Sequence, residues 1–468
     1  MAATDATWRS PIEKIQQAWQ VPSIRSRLLF VLGMFLVYVF GLHIPAPFVN
    51  PEAIKSIASQ GALGLFDIIS GGAFKRLSIL ALGIIPYINA SIIMQLLGIA
   101  VPSVQRLQKE GDSGRKVLST YTRIGTVFLA LLQATGIGFF LLANNGVYTN
   151  HGFGNLNIIP LVIAMAAGTS FLMWMGEQLT DKGIGNGVSL IIFAGIMIGL
   201  PTNIIQTFKL ASVSGEVLSG FAILKMILIL IVFIAIVVFI TYVHQAIRNI
   251  PVQHAKRVVA GRTYGGSNSF LPLKLITAGV IPIIFASSVV MLPPTISMFV
   301  LHNYPDPSLA PNWIRFCEIF SPGYNGTFWQ VTLGGVDVPF GAIFGGVVYF
   351  LLVVFFTYFY TAVVYNVQDI ADNLKKQGSF IPGLRPGKQT EDYIDIVLTR
   401  ITFAGAIFLG IVALLPYIIP VILGNTGYNV SGALWGGTSL LIVVGVALDT
   451  MKQLEALLVT RHYDGFIK

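Results

Sequence analysis

Apolar runs of about 18 to 25 residues recur along the whole chain, separated by shorter polar stretches, which is the spacing that bilayer-crossing helices need. Ten such runs lie near 25–45, 77–99, 121–143, 157–178, 188–208, 220–243, 275–300, 340–366, 400–420 and 434–458. The pattern predicts an all-α polytopic membrane protein with ten transmembrane helices. The polar stretch ahead of the first run has no small-residue cleavage site and leads into a full-length apolar segment. A retained first helix is therefore expected there, not a cleaved signal peptide.

Two strings repeat almost letter for letter. GIIPYINAS at 83–91 and GVIPIIFAS at 279–287 agree at six of nine positions, and each lies at the start of an apolar run, the second and the seventh. A proline inside such a run removes a helix hydrogen bond, so each string predicts a kink. A second echo, GVSLII at 187–192 against GTSLLI at 437–442, falls on runs five and ten. Both echoes pair a run with the one five places later, so the spans divide into two halves. Because five is odd, the second half crosses the membrane upside down relative to the first, an inverted repeat. The expected organisation is an N-terminal segment 1–24, a first half 25–208, an external hinge 209–219, a second half 220–458 and a tail 459–468. Loops 244–274 and 367–399 belong to the second half.

Charge sets the orientation. With the N-terminus inside, 23 of the 29 lysines and arginines fall on the cytoplasmic side, which places both termini in the cytoplasm. Hydrophobic residues make up 54% of the chain and charged residues 10%, too oily for a soluble domain of this length. The single cysteine, Cys317, excludes an intrachain disulfide, and no Cys/His cluster implies a metal.

The span interiors are nearly bare of ionisable groups, which pumps and ion-coupled transporters keep at bilayer depth. Lys225 lies in the first turns of its span, and Asp449 and Lys452 lie toward the inner end of the last one. The few uncharged polar residues, Asn89, Gln95 and Gln133, suit helix-to-helix hydrogen bonding. No ring-forming carboxylate motif marks a selective ion channel. GLRPGKQ at 383–389 lacks the spacing of a phosphate loop, no nucleophile–base set stands out, and no cofactor is implied, so the chain is not expected to be an enzyme.

Three exposed or short segments carry more information. GALGLFDIISGGAF at 61–74 is apolar but too short to span, and fits either a re-entrant half-helix or an amphipathic helix on the membrane surface. Loop 244–274 holds Arg248, Lys256, Arg257, Arg262 and Lys274 without one acid, and loop 367–399 holds Lys375, Lys376, Arg385 and Lys388. Topology explains their charge but not their length, whereas basic loops also attract acidic proteins, lipid headgroups or RNA phosphates.

Several long strings then identify a family. GEQLTDKG at 176–183, GIGNGVSLIIFAGI at 183–196, AGVIPIIFASS at 278–288, ADNLKKQGSFIPGLRPGKQT at 371–390 and GGTSLLIVVGV at 436–446 closely resemble SecY, the pore subunit of the bacterial Sec protein-translocation channel. The resemblance implies an hourglass pore between the two halves, opening across the membrane and sideways into lipid, and a location in the bacterial plasma membrane. It implies SecE and SecG as companion subunits, and SecA or the ribosome as the driving partner. Signal sequences and translocating polypeptides would be the cargo, and membrane lipids the surroundings.

Residue by residue, the resemblance implies a constricting ring of Ile84, Ile88, Val188, Ile192, Ile284 and Ile442. The pairs 84/88 and 188/192 stand four apart, on one helix face each. An aliphatic ring offers no fixed polar partner to passing side chains and can dewet to block ions. The segment 61–74 resembles the plug, with Gly64, Leu65, Phe66, Asp67, Ile68, Ile69, Ser70, Gly71 and Gly72 at its centre. Spans two and seven resemble the lateral gate, with Pro86, Asn89, Gln133, Thr277 and Pro282. Relatives often place an asparagine near Ile276, a departure here for which Thr277 is the candidate substitute. Arg248, Lys256, Arg257, Arg262, Arg385 and Lys388 resemble the motor and ribosome docking residues, although Asn249 stands where relatives commonly carry another arginine. Two other readings are consistent with the residues alone: a secondary transporter of a small solute, and a scaffold without a pore.

Overall fold

The computed structural model describes residues 11–50, 70–143, 158–212, 220–254, 257–259, 262–264, 268–301, 311–320, 330–333, 336–422 and 437–464. Gly64 to Ile69 of the expected plug and Lys256 lie outside the described residues, as does most of the expected hinge.

A helix overlies each apolar run. In chain order the first half holds α1 (Pro11–Gln20), α2 (Pro22–Gly41), α3 (Ile85–Ala100), α4 (Pro102–Lys109), α5 (Asp112–Ala143), α6 (Ile158–Lys182) and α7 (Gly187–Ser212). The second half holds α8 (Gly220–Gln245), α9 (Ile281–Leu301), α10 (Asn312–Glu318), α11 (Phe340–Val364), α12 (Val367–Lys376), α13 (Lys388–Ile422) and α14 (Gly437–Asp464). By length and composition, five described helices are long and apolar enough to cross a membrane, or six if the bent pair α3–α4 counts as one.

The halves repeat one packing order. α3 packs on α5, α5 on α6 and α6 on α7; in the second half α9 packs on α11, α11 on α13 and α13 on α14. The echoed strings also meet in space, since α3 lies against α9 and α7 against α14. Internal duplication read from the sequence is thus a pairing of neighbours across the middle of the molecule.

The prolines act differently from the expected kinks. Pro86 and Pro282 stand at the second residue of α3 and α9, so they begin helices and do not bend them. A proline there costs no helix hydrogen bond, because first-turn N–H groups have no partner within the helix. The run 77–99 is therefore not one continuous helix. α3 has 16 residues, about 24 Å at 1.5 Å per residue, shorter than the roughly 30 Å hydrocarbon layer. The chain ahead of it, 70–84, is a series of turns. Irregular backbone at membrane depth survives only inside protein, and Ala73, Phe74, Leu77, Ser78, Leu80, Ala81 and Leu82 are all buried. Gly168 of α6 lies so close to the carbonyl of Ile79 that a Cβ there would collide with it. At its other end α3 stops at Val101 and the chain turns by 104° into α4.

The two long loops are mostly ordered structure. Loop 244–274 contains the antiparallel pair β1 (Ile247–His254) and β4 (Asn268–Lys274), in register from Ile247↔Lys274 to Gln253↔Asn268. Between them, β2 (Arg257–Val259) pairs with β3 (Arg262–Tyr264). Alternation is visible in β1 from Asn249 to Val252, where Ile250 and Val252 are buried while Asn249 and Pro251 face out. Loop 367–399 carries α12, capped by Asn366 on the amide of Asp369, then β7 (Ser379–Phe380) and the first turns of α13. β7 joins the outer side of β1, giving the sheet order β4-β1-β7. His254 clamps this junction: one ring nitrogen lies 2.9 Å from Ser269 Oγ and the other 2.7 Å from Ser379 Oγ. Beneath, Ile250, Val252 and Leu273 share an apolar core with Ile381, Ile394 and Ile401. Two loops distant in sequence are one folded unit. A further strand pair, β5 (Gln330–Leu333) with β6 (Val336–Pro339), precedes α11.

Candidate functional site

The seam between the halves is apolar. Ile84, Ile88, Ile192, Ile284 and Ile442 are buried members of one cluster, with Val188 packed against it at intermediate exposure. These six come from α3, α7, α9 and α14, the helices that carry both echoes, and none offers a charge or a hydrogen bond. Ile84 is the residue capping α3, and the bond from Ile88 N to Ile84 O, 3.1 Å, keeps the two on one side of the first turn. The start of α7 is fixed locally: Asn186 Oδ1 accepts from the amides of Val188 and Ser189 at 3.1 and 3.2 Å.

Val280 was not singled out from the residues, yet it matches Ile84 in the echo and is buried in the same cluster. Aligning the two strings position by position would have found it. The other echo is broken here. Val188 corresponds to Thr438, whose Oγ1 lies 3.3 Å from the Tyr349 hydroxyl on α11.

The described end of the segment 61–74 is anchored in the first half. Tyr38 on α2 donates its buried hydroxyl to the Ser70 carbonyl at 3.3 Å, a contact with no sequence signal. Gly71 adopts φ +72°, and a Cβ there would stand 2.8 Å from the carbonyl oxygen of Gly195 on α7. Gly72, at φ +84°, has open space around its Cβ position. A left-handed backbone costs a non-glycine residue about 1–2 kcal/mol, and at Gly71 the collision adds to that cost. Gly71→Val is therefore expected to displace this end of the segment and raise resting ion leak about tenfold or more in reconstituted membranes. Gly72→Ala carries only the backbone cost and should leak less; equal leak from both variants would mean that the Gly195 contact is irrelevant.

α3 and α9 pack against each other, and α9 also packs on α5. Asn89 and Gln133 are buried, but no hydrogen bond joins Asn89, Gln133 and Thr277 among the described residues. Gln133 Oε1 has no partner among them. Thr277 instead shares a 3.3 Å contact with Thr361 on α11. The counterpart of Asn89 in the second copy, Phe285, sets its ring edge-on to Phe356 and Tyr360, also on α11. The two facing helices thus carry unequal side chains at matching positions.

Of the basic residues, Arg248 and Arg385 are both exposed on the folded loop unit, and Lys388 is exposed at the start of α13. The backbones of Arg257 and Arg262 lie in the β2–β3 pair. Arg385 sits on a tight turn between Gly383 (φ +86°) and Gly387 (φ +111°). Its amide donates to Gln389 Oε1 at 3.3 Å and its carbonyl accepts from Thr390 Oγ1 at 3.0 Å.

A family model for SecY matches residues 78–451. The chain belongs to the SecY family. It is 42% identical over 457 residues to the protein translocase subunit SecY of Bacillus licheniformis, covering 97% of this chain and 99% of that one. To the SecY subunit of Aquifex aeolicus it is 40% identical over 464 residues, with the same coverage. Its fold resembles a SecY channel whose plug domain stabilises the closed state and maintains a membrane seal, with a TM-score of 0.63 and 20% identity over 92% of this chain and 91% of that one. It also resembles Sec61 from the canine ribosome–channel complex, with a TM-score of 0.57 and 19% identity over the same shares. This SecY-family chain carries the seam, the end of segment 61–74 and the basic loop unit within one fold.

Proposed function

We propose that this chain is the central subunit of a protein-conducting channel. It passes unfolded secretory chains across the bacterial plasma membrane and releases apolar segments sideways into lipid. The supporting observation is the apolar seam: five of the six aliphatic side chains, from both halves, belong to one buried hydrophobic cluster and Val188 packs against it. Such a constriction tolerates any passing sequence and excludes hydrated ions by dewetting. An ion-coupled solute transporter needs charged or chelating groups at that depth, so the transporter reading is the weaker one.

In this reading the halves are 25–208 and 220–458, joined through 209–219, with both termini in the cytoplasm. α3 and α9 form the lateral gate, residues 61–74 the plug, and Ile84, Ile88, Val188, Ile192, Ile284 and Ile442 the ring. The loop unit with Arg248 and Arg385 receives the ribosome or the SecA motor, and SecE and SecG complete the complex. The chain supplies a passive pore, and the energy comes from the partner. Depleting the protein in its host should make secretory precursors accumulate; normal export under depletion would overturn the proposal. Partner-free, ion-coupled uptake of a small solute by the purified protein would favour the transporter.

A further inference from the structure

The echoed strings share a backbone feature that their prolines do not foretell. Gly83 and Gly279, the first letters of the two strings, both adopt left-handed φ, +59° and +64°. Side chains are strained there and glycine is not. Each stands two residues before a helix, α3 at Ile85 and α9 at Ile281. Both proposed gate helices therefore hang from a single left-handed glycine, the kind of position that absorbs a hinge rotation.

Their surroundings differ. The Cβ position of Gly83 faces Ser70 Cβ at 3.6 Å, the described end of the plug segment. That of Gly279 faces Asp449 Oδ2 on α14 at 3.8 Å. The other oxygen of the same carboxylate, Oδ1, accepts from Lys274 Nζ at 3.3 Å. Lys274 is the last residue of β4, so the strand bearing one side of the loop unit ends on this ion pair, five residues before the glycine. Gly445, one turn earlier on α14, lets that helix approach until an added Cβ would collide with Val280. The base of α9, the end of β4 and α14 thus converge on Asp449.

We propose that the Lys274–Asp449 ion pair is the link through which a partner seated on the β1–β4 hairpin turns gate helix α9 about Gly279. The inference rests on the gate and docking roles proposed above. At rest the pair ties the hairpin's exit strand to α14 and holds the hinge; displacement of the hairpin moves Lys274 and frees α9. The two side chains are about equally exposed, 37% and 38%, which makes the pair weak enough to release. Lys452, on the same face one turn on, has a buried ammonium with no hydrogen-bond acceptor among the described residues. A second cation therefore stays near Asp449 when Lys274 is removed. Loss of Asp449 should consequently matter more than loss of Lys274.

The test places spin labels at Ser91→Cys on α3 and Ser287→Cys on α9, in a Cys317→Ser background. The assembled complex in proteoliposomes is measured with and without purified ribosomes. In the parent, ribosomes should shift the label distances to longer values. Asp449→Asn should shrink that shift about two- to fivefold, the range an exposed ion pair supports, and Lys274→Gln should shrink it less. Lys274→Arg, which keeps the cation, should retain most of it. Gly279→Ala, which keeps the ion pair and strains the hinge, should also reduce it, so the proposal stays testable if Asp449→Asn assembles poorly. A full shift in Asp449→Asn, or a loss in Lys274→Arg as large as that in Asp449→Asn, overturns the link alone. No ribosome-dependent shift in the parent overturns the gate reading and the link with it.

Discussion

Ile442→Asn should open the resting channel, with ion leak through reconstituted complexes rising tenfold or more and defective signal sequences gaining passage. Ile442 is 4% exposed and packs in the cluster that holds Ile88, Ile192 and Ile284. Removing its aliphatic side chain forfeits about 1.5–3 kcal/mol of burial. Placing an amide there without a partner costs about 1–3 kcal/mol more, by protein mutational measurement. Both penalties fall on the closed arrangement and are relieved when the ring parts and water enters. Their lower bounds together shift the closed-to-open ratio by more than the roughly 1.4 kcal/mol that makes a factor of ten. Ile442→Val trims one methylene, about 0.5–1.5 kcal/mol, and should leak far less. Leak and signal selection unchanged in Ile442→Asn would remove this residue from the ring.

Arg385→Glu should abolish most motor-driven translocation while leaving the complex assembled. The turn carrying Arg385 is held on both sides, by the Gln389 and Thr390 hydrogen bonds and by two left-handed glycines. Its guanidinium makes no ion pair with any described residue. A fixed backbone with a free charge suits the proposed acidic partner, since little ordering is left to be lost on binding. Truncating one member of a docked, hydrogen-bonded charge pair costs about 2–5 kcal/mol, and reversal adds repulsion. The rate in SecA-driven proteoliposomes should therefore fall by about thirtyfold or more at limiting motor. As an exposed residue away from the core, its replacement should change stability by no more than about 0.5 kcal/mol. Arg385→Lys keeps the charge and loses the planar fork, so an intermediate rate is expected. Full translocation by Arg385→Glu would exclude the docking role.

The expectations from residues fared unevenly, and the reasons are physical. Apolar periodicity located every long helix among the described residues because crossing lipid leaves a length signature. It erred where a span is only partly helical: Leu77 to Ile84 are as apolar as α3, yet they form buried turns. Hydropathy reports transfer to an apolar environment and is silent on backbone conformation. Apolar runs do not mark where a helix starts, and whether Pro86 and Pro282 kink a helix or begin one depends on their distance from that start. Charge and length single out loops 244–274 and 367–399, but nothing in their residues announces a sheet. Their strand alternation is short, and β7 has only two residues, so the sheet exists only once β1 and β7 meet. Of the three polar gate candidates, Thr277 has its hydroxyl 3.3 Å from that of Thr361, a partner no local pattern announces.

The sequence alone determined membrane residence, a two-fold internal duplication, the family, and which letters of the echo correspond. Those properties are written in composition, in the period of apolar runs and in long shared strings, all of which survive without knowledge of any contact. The tertiary structure decided what the echo does. It set α3 against α9 and α7 against α14, made both opening glycines left-handed, and put Ser70 beside one and Asp449 beside the other. Which residues stand across from a hinge depends on close packing between helices far apart in the chain, and no local pattern encodes it.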